Sequence, residues 1–215
     1  MKGATPSIEP ASIQAVVVCR DASANPLRMV GGITLLERLL RQLSELEPVE
    51  SILILKPREL LSLPAPSKRV RKDVNTQDAS GANDWELMRD ARAHLPLRFI
   101  VVAADLLIDQ RLLAWLAAQT ADVILSPRAG ERPETAAFLH ASSLDASSAE
   151  AARINVVAAS SIPAYWESMH GEVPLHLHRV ATDLAAEEAW DILLDYIQRR
   201  TLELPARYFD PCSRT

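Results

Sequence analysis

Two short apolar runs, 13–18 (IQAVVV) and 51–55 (SILIL), bracket one strongly periodic segment, and little else in the chain constrains the fold as tightly. Between them Leu35, Leu36, Leu39, Leu40, Leu43 and Leu46 recur at helical spacing on one face, with Arg38, Arg41, Gln42 and Glu45 falling elsewhere. Thr34 is placed to cap this helix, and Glu37 three residues on completes the pattern of a capping box. Pro48 stops it. A continuous apolar run rich in β-branched residues suits a strand covered on both faces. Strand, helix and strand in this order make a βαβ unit, so the two strands pair in parallel through a right-handed crossover.

The same alternation continues. Residues 98–103 (RFIVVA) read as a third buried strand, 109–118 as a helix and 122–125 as a fourth strand. Asp84 is positioned as an N-cap for a helix carrying Trp85, Leu87, Met88, Ala91 and Leu95. The stretch 56–83, with three prolines and the basic run Lys68-Arg69-Val70-Arg71-Lys72, reads as a solvated surface excursion. Further on, 135–141 and 154–159 are strand candidates with an Ala/Ser-rich helix between them. Residues 162–169 suggest a helix opened by Pro163. The alternation Leu175-His176-Leu177-His178-Arg179-Val180 fits a half-exposed strand. Thr182 or Asp183 caps a last long helix running through Ile197. The expected organisation is a flexible arm at 1–12, one domain at 13–200, and a tail or linker at 201–215. The expected class is α/β, a Rossmann-like three-layer α/β/α sandwich on a mostly parallel sheet.

Composition removes several function classes. Lys and Arg total 23 against 28 Asp and Glu, a net charge of −5, where a nucleic-acid binder would present a basic face. Cys19 and Cys212 cannot supply a disulfide framework or a Cys-rich zinc site. No apolar run approaches the ~18 residues needed to cross a bilayer, and the N-terminus lacks a signal-peptide core. A cytoplasmic domain is the expectation. Neither a Gly-x-Ser-x-Gly elbow nor a Walker A sequence occurs. His176 and His178 have a spacing compatible with zinc but no third ligand in view, and an exposed sheet face is the simpler reading. Cys19 reads as a small buried side chain. Trp85, Trp115, Trp166 and Trp190 read as core or interface anchors.

Ligands of open parallel sheets bind at the carboxyl ends of strands, near a switch in strand order. Two loops leave such ends here, after Val18 and after Ala103, and the second presents Asp105. A carboxylate in that position either holds Mg²⁺ against a nucleoside phosphate or merely opens the next turn. Spacing leaves both readings open.

The run from Pro26 to Leu40 (PLRMVGGITLLERLL) resembles the segment after the nucleotide loop of MobA-like nucleotidyltransferases, GT-A-type enzymes that join an NTP to a phosphorylated sugar, polyol or cofactor precursor. The strand 99–105 (FIVVAAD) is similar to their metal-binding strand end, and 180–186 (VATDLAA) to the opening of their last helix. The matches fall in the family's order over 13–200. The resemblance implies Asp105 as the catalytic, Mg²⁺-binding carboxylate, and Arg20, Ser23, Asn25, Arg28, Gly31 and Gly32 as nucleotide-binding positions. CTP is the implied nucleotide and a sugar or polyol phosphate the implied acceptor. The departures are equally specific. The loop 19–25 (CRDASAN) has no glycine, although backbone approach to phosphates calls for one. Asp21 adds a negative charge, Asn25 stands where the family has a lysine, and Ala181 where it has a second metal carboxylate. The second reading is therefore a non-catalytic regulatory or docking module. In one branch the domain precedes a membrane CDP-alcohol phosphotransferase of phospholipid biosynthesis. Arg199-Arg200 and 206–214 are similar to that junction, which implies the cytoplasmic face of a membrane and a fused or associated phosphotransferase. A homodimer is a further expected assembly.

Overall fold

The computed structural model describes residues 12–20, 25–60, 63–145, 154–162, 167–168, 171–172 and 175–202. Residues 1–11 of the N-terminal arm, the loop 21–24 with Asp21 and Ser23, residues 146–153 of the Ala/Ser-rich stretch, Trp166, Cys212 and the tail beyond Leu202 lie outside them.

A seven-stranded sheet forms the middle layer. Its strands are β1 (Ile13–Val18), β4 (Val49–Pro57), β5 (Asp73–Ala79), β6 (Arg98–Ala103), β8 (Val123–Ser126), β9 (Ala136–His140) and β10 (Asn155–Ala158). They lie in the order β10-β8-β9-β6-β1-β4-β5. All neighbours are parallel except where β9 inserts antiparallel between β6 and β8. The βαβ reading is met: β1 pairs β4 in parallel, with Val16 opposite Leu53.

Helices α1 (Leu35–Ser44) and α3 (Gln110–Ala117) cover one face, where Leu36, Leu39, Leu43, Leu112 and Leu116 join Ile52, Ile100 and Phe138 in the larger core. Helix α2 (Asp84–Asp90) covers the other with Leu87 and Met88 on Val16, Leu55 and Phe99. The three-layer α/β expectation is thus realised. A third, smaller cluster joins a short hairpin, β2 (Met29–Val30) and β3 (Ile33–Thr34), to the last helix, α4 (Asp183–Leu202). Thr182 caps α4 by accepting from the Ala185 amide at 3.1 Å. None of the described helices is long and apolar enough to cross a membrane.

Several expectations are corrected. The excursion 56–83 contains β5, a polar edge strand whose partner in the sheet is β4. An edge strand with most residues facing water has no apolar alternation to reveal it. The cap of α2 is Asn83, whose Oδ1 accepts from the Glu86 amide at 2.9 Å, while Asp84 begins the helix and is buried. At α1 only half of the capping box forms. Thr34 Oγ1 accepts from the Glu37 amide, but the Glu37 carboxylate turns to Arg41 and Ser67. Of the 162–169 helix candidate, residues 163–166 and 169 lie outside the described residues, while Glu167–Ser168 pairs antiparallel with Gly171–Glu172 (β11 and β12). Two further strands, β7 (Leu106–Ile108) and β13 (Leu177–Arg179), pair antiparallel beside the sheet, with Arg179 opposite Leu106.

Candidate functional site

From β1 the chain builds outward through β4 and β5 on one side, then returns to place β6 on the other. The switch in strand order therefore lies between β1 and β6, whose carboxyl ends are level, Val18 opposite Ala103. The Ala104 amide donates to the Val18 carbonyl at 2.9 Å, and the Cys19 amide to that of Leu55 at 2.8 Å. This locks the two emerging loops side by side and delivers Cys19, Arg20 and Asp105 to one place.

Two ion clusters occupy that place. In the first, Arg20 grips Asp84 with two parallel bonds, Nε to Oδ1 at 2.6 Å and Nη2 to Oδ2 at 2.8 Å, and Thr135 Oγ1 donates to the same carboxylate. Asp84 is only 4% exposed and sits in the first turn of α2, where a negative charge is favoured. In the second, Arg179 Nη1 donates to Asp105 Oδ2 at 2.6 Å, while its Nε and Nη2 donate to Glu134 Oε2 at 2.8 and 2.6 Å. The register of β13 on β7 sets Arg179 beside Leu106 and so next to Asp105. Backbone bonds from Val180 N to Asp105 O and from Glu134 N to Leu125 O, both 2.8 Å, hold the other two walls.

Electrostatics follow from burial. Asp105 is 2% exposed, and burial pushes its carboxyl above the usual range although Arg179 and Arg20 pull it partly back. Its Oδ1 is buried with no hydrogen-bond partner. Burial works against the Arg179 charge too, but the Glu134 bond and the Asp105 charge outweigh it and hold the guanidinium above its ordinary value. Burial, helped by Asp105 and Asp84, pushes the Cys19 thiol up to about 12. Cys19 is therefore a neutral thiol at physiological pH and no nucleophile, in line with its reading as a small buried side chain.

Of the remaining expected positions, Arg28 reaches the wall of this centre and the others make contacts of their own. Arg28 donates through Nη1 to the Val180 carbonyl at 2.9 Å and lies 3.2 Å from Asp183. Asn25 Oδ1 accepts from the Leu27 amide at 3.1 Å, closing its own turn. Gly31 and Gly32 have φ of +60° and +80° and form the turn of the β2–β3 hairpin, a conformation that favours glycine at both places. A Cβ on Gly31 would fall 2.1 Å from the Trp190 ring of α4. Glu134, Thr135 and Arg179 carry no sequence signal of their own, since nothing local distinguishes them from ordinary turn and strand residues.

The zinc-compatible pair separates. His178 is exposed, but His176 is buried, with Nδ1 3.4 Å from Asp109 Oδ2, which corrects the exposed-face reading for it. The reason is that β13 begins only at Leu177, so the two histidines do not share a strand face. Among the described residues no group of three His, Cys, Asp or Glu converges to hold a metal. Burial pushes His176 down to about 4, against the pull of Asp109 and with the help of His178, Arg111 and Arg38. The folded chain then takes no proton at His176 until about pH 4, whereas the unfolded chain takes one near pH 6.5, so acid favours unfolding. Urea unfolding should show a stability loss of roughly 2 kcal/mol between pH 6.5 and 4.5 that His176→Gln largely removes. An unchanged pH dependence in the variant would refute this.

A divalent cation finds no room among these groups. Of the three carboxylates at hand, Asp84 is clamped by Arg20, and Asp105 and Glu134 each accept from the Arg179 guanidinium. Ala181 offers no side-chain oxygen. Mg²⁺ demands oxygen ligands in near-octahedral array, and a guanidinium held against both carboxylates excludes it. As arranged, the residues do not fit Mg²⁺.

No protein-family model matches the sequence, and no curated protein sequence matches it. Solved structures do match the fold. The 2-C-methyl-D-erythritol 4-phosphate cytidylyltransferase from Thermus thermophilus superposes with a TM-score of 0.55 at 13% identity, over 84% of this chain and 98% of that one. The fold is one shared with solved nucleotidyltransferases. CMP:2-keto-3-deoxy-manno-octonic acid synthetase, solved with CTP, gives 0.57 at 12% identity over 86% of this chain and 100% of that one. A putative glucose-1-phosphate thymidylyltransferase from Bacillus anthracis, in complex with a sucrose, gives 0.60 at 8% identity over 84% and 95%. The GT-A-type expectation for the fold is met along nearly the whole chain.

Proposed function

We propose that this chain is a nucleotidyltransferase-like domain that no longer transfers nucleotidyl groups and serves as a regulatory or docking module. One observation carries the reading. The positions from which the resembled family meets a triphosphate are neutral or already engaged within the chain: Asn25 closes its own turn, Arg20 is clamped by Asp84, and Arg28 is held by Val180 and Asp183. To recruit Arg20, a triphosphate would have to break both of its bonds to a buried carboxylate. Loss of even one electrostatic contact of this kind commonly costs ~10²–10³ in rate. The partner that suits the module is the membrane CDP-alcohol phosphotransferase implied by the junction-like residues near the C-terminus, which would place the domain at the cytoplasmic face of a membrane.

A second reading keeps an observation of its own. Asp105 lies at the switch point with Oδ1 buried and unpartnered, which is where a cytidylyltransferase acting on CTP and a sugar or polyol phosphate would want its carboxylate. Pyrophosphate release separates the two. Incubation with each NTP, Mg²⁺ and a panel of sugar and polyol phosphates should release no pyrophosphate above background. Turnover that disappears in Asp105→Asn would establish the enzyme instead.

A further inference from the structure

We propose that Arg179 is a resident cation: its guanidinium bridges Asp105 and Glu134 where a divalent ion could otherwise neutralise them, so the domain is built to work without a metal there. One planar cation bridges two carboxylates from different parts of the fold, reaching Asp105 Oδ2 at 2.6 Å and Glu134 Oε2 at 2.6 and 2.8 Å. Both carboxylates are largely buried, and Asp105 is nearly inaccessible. Two buried carboxylates this close either take up a proton or pair with a cation. The Arg179 fork meets that need from within the chain.

Two features show that a divalent ion would be at home there once the guanidinium is gone. Asp105 Oδ1 is a buried oxygen with no donor, so one coordinating atom is already in place and unused. The charge inventory points the same way. Asp84, Asp105 and Glu134 face Arg20 and Arg179, and removing Arg179 leaves an excess of two negative charges. Arg20 offsets only part of that excess, because its Nε and Nη2 are both engaged by Asp84. A small neutral residue at 179 also opens space between the two carboxylates for an ion and its waters.

The functional consequence is that the β6 end, the turn before β9 and strand β13 are tied together permanently, not only when an ion is bound. The assignment concerns the same strand ends as the function proposed above, but its readout is metal affinity, so either can fail without the other.

The test uses the full chain and Mn²⁺ as probe. Wild type should show the same Tm in EDTA and in millimolar Mn²⁺, and no high-affinity Mn²⁺ by electron paramagnetic resonance. Arg179→Ser should be less stable than wild type in EDTA and bind one Mn²⁺, raising its Tm by roughly 5–10 °C at saturating metal. Adding Asp105→Asn to that variant should abolish the gain. Arg179→Lys, which retains a positive charge, should stay blind to Mn²⁺. Binding of Mn²⁺ to wild type that is lost in Asp105→Asn would overturn the proposal. So would a folded Arg179→Ser that binds no Mn²⁺, or one that fails to fold whether or not Mn²⁺ is present.

Discussion

Asp84→Ala is expected to lower the free energy of unfolding by about 3 kcal/mol, read from urea denaturation at neutral pH. The carboxylate is almost fully buried and accepts from Arg20 at 2.6 and 2.8 Å and from Thr135. Truncating it leaves a guanidinium and a hydroxyl without their partner. Breaking a buried ion pair costs about 3–5 kcal/mol, and the lower end applies because the Arg20 side chain is 37% exposed and can turn toward water. Asp84→Asn keeps an oxygen for Thr135 and should lose clearly less. A loss below about 1 kcal/mol in Asp84→Ala would mean that Arg20 is held by other groups, and the case for a neutralised anion site would weaken with it.

Phe138→Ala is expected to cost about 3–5 kcal/mol, equivalent to a Tm drop of roughly 6–20 °C for a chain of this size. Phe138 lies in the middle of β9, the one antiparallel strand of the main sheet, paired with Ile100 on β6 and Val123 on β8. It is fully buried in the larger core, edge-on to His140 with ring centres 5.6 Å apart, and Arg98 stands 5.2 Å from its ring centre. Removing the ring leaves a cavity that the flanking strands cannot close without losing register. The effect reaches the site, since β9 begins directly after Glu134 and Thr135, and the Thr135 carbonyl accepts from the Ala103 amide at 2.7 Å. Phe138→Leu, which keeps most of the volume, should cost less than half as much. Equal losses in the two variants would show that volume is not what the ring contributes.

The legible and illegible parts of the site differ in how far apart the interacting residues are. Asp105 is legible because a hydrophobic strand ending in a carboxylate is a local pattern. So are β1, α1 and β4, whose periodicity and Thr34 cap are written within a few residues. Asn25 and the glycine-free loop are legible as departures from a family pattern, again one short stretch at a time. Strand β5 escapes such a reading because its residues are polar on an edge. Asp84 reads as a cap because burial cannot be seen in a single residue.

What the sequence determined by itself is the α/β alternation, the parallel pairing of β1 with β4 and the arrival of Asp105 at a strand tip. All three follow from apolar spacing that acts on neighbouring residues, where side-chain burial and chain stiffness leave one choice. Only the tertiary structure decided that Arg20 belongs to Asp84, 64 positions away, and that Arg179 bridges Asp105 and Glu134 across 74 and 45 positions. Charges are interchangeable along a sequence, and which of them meet is set by strand order, by the register of β13 on β7, and by the cost of burying any one of them alone.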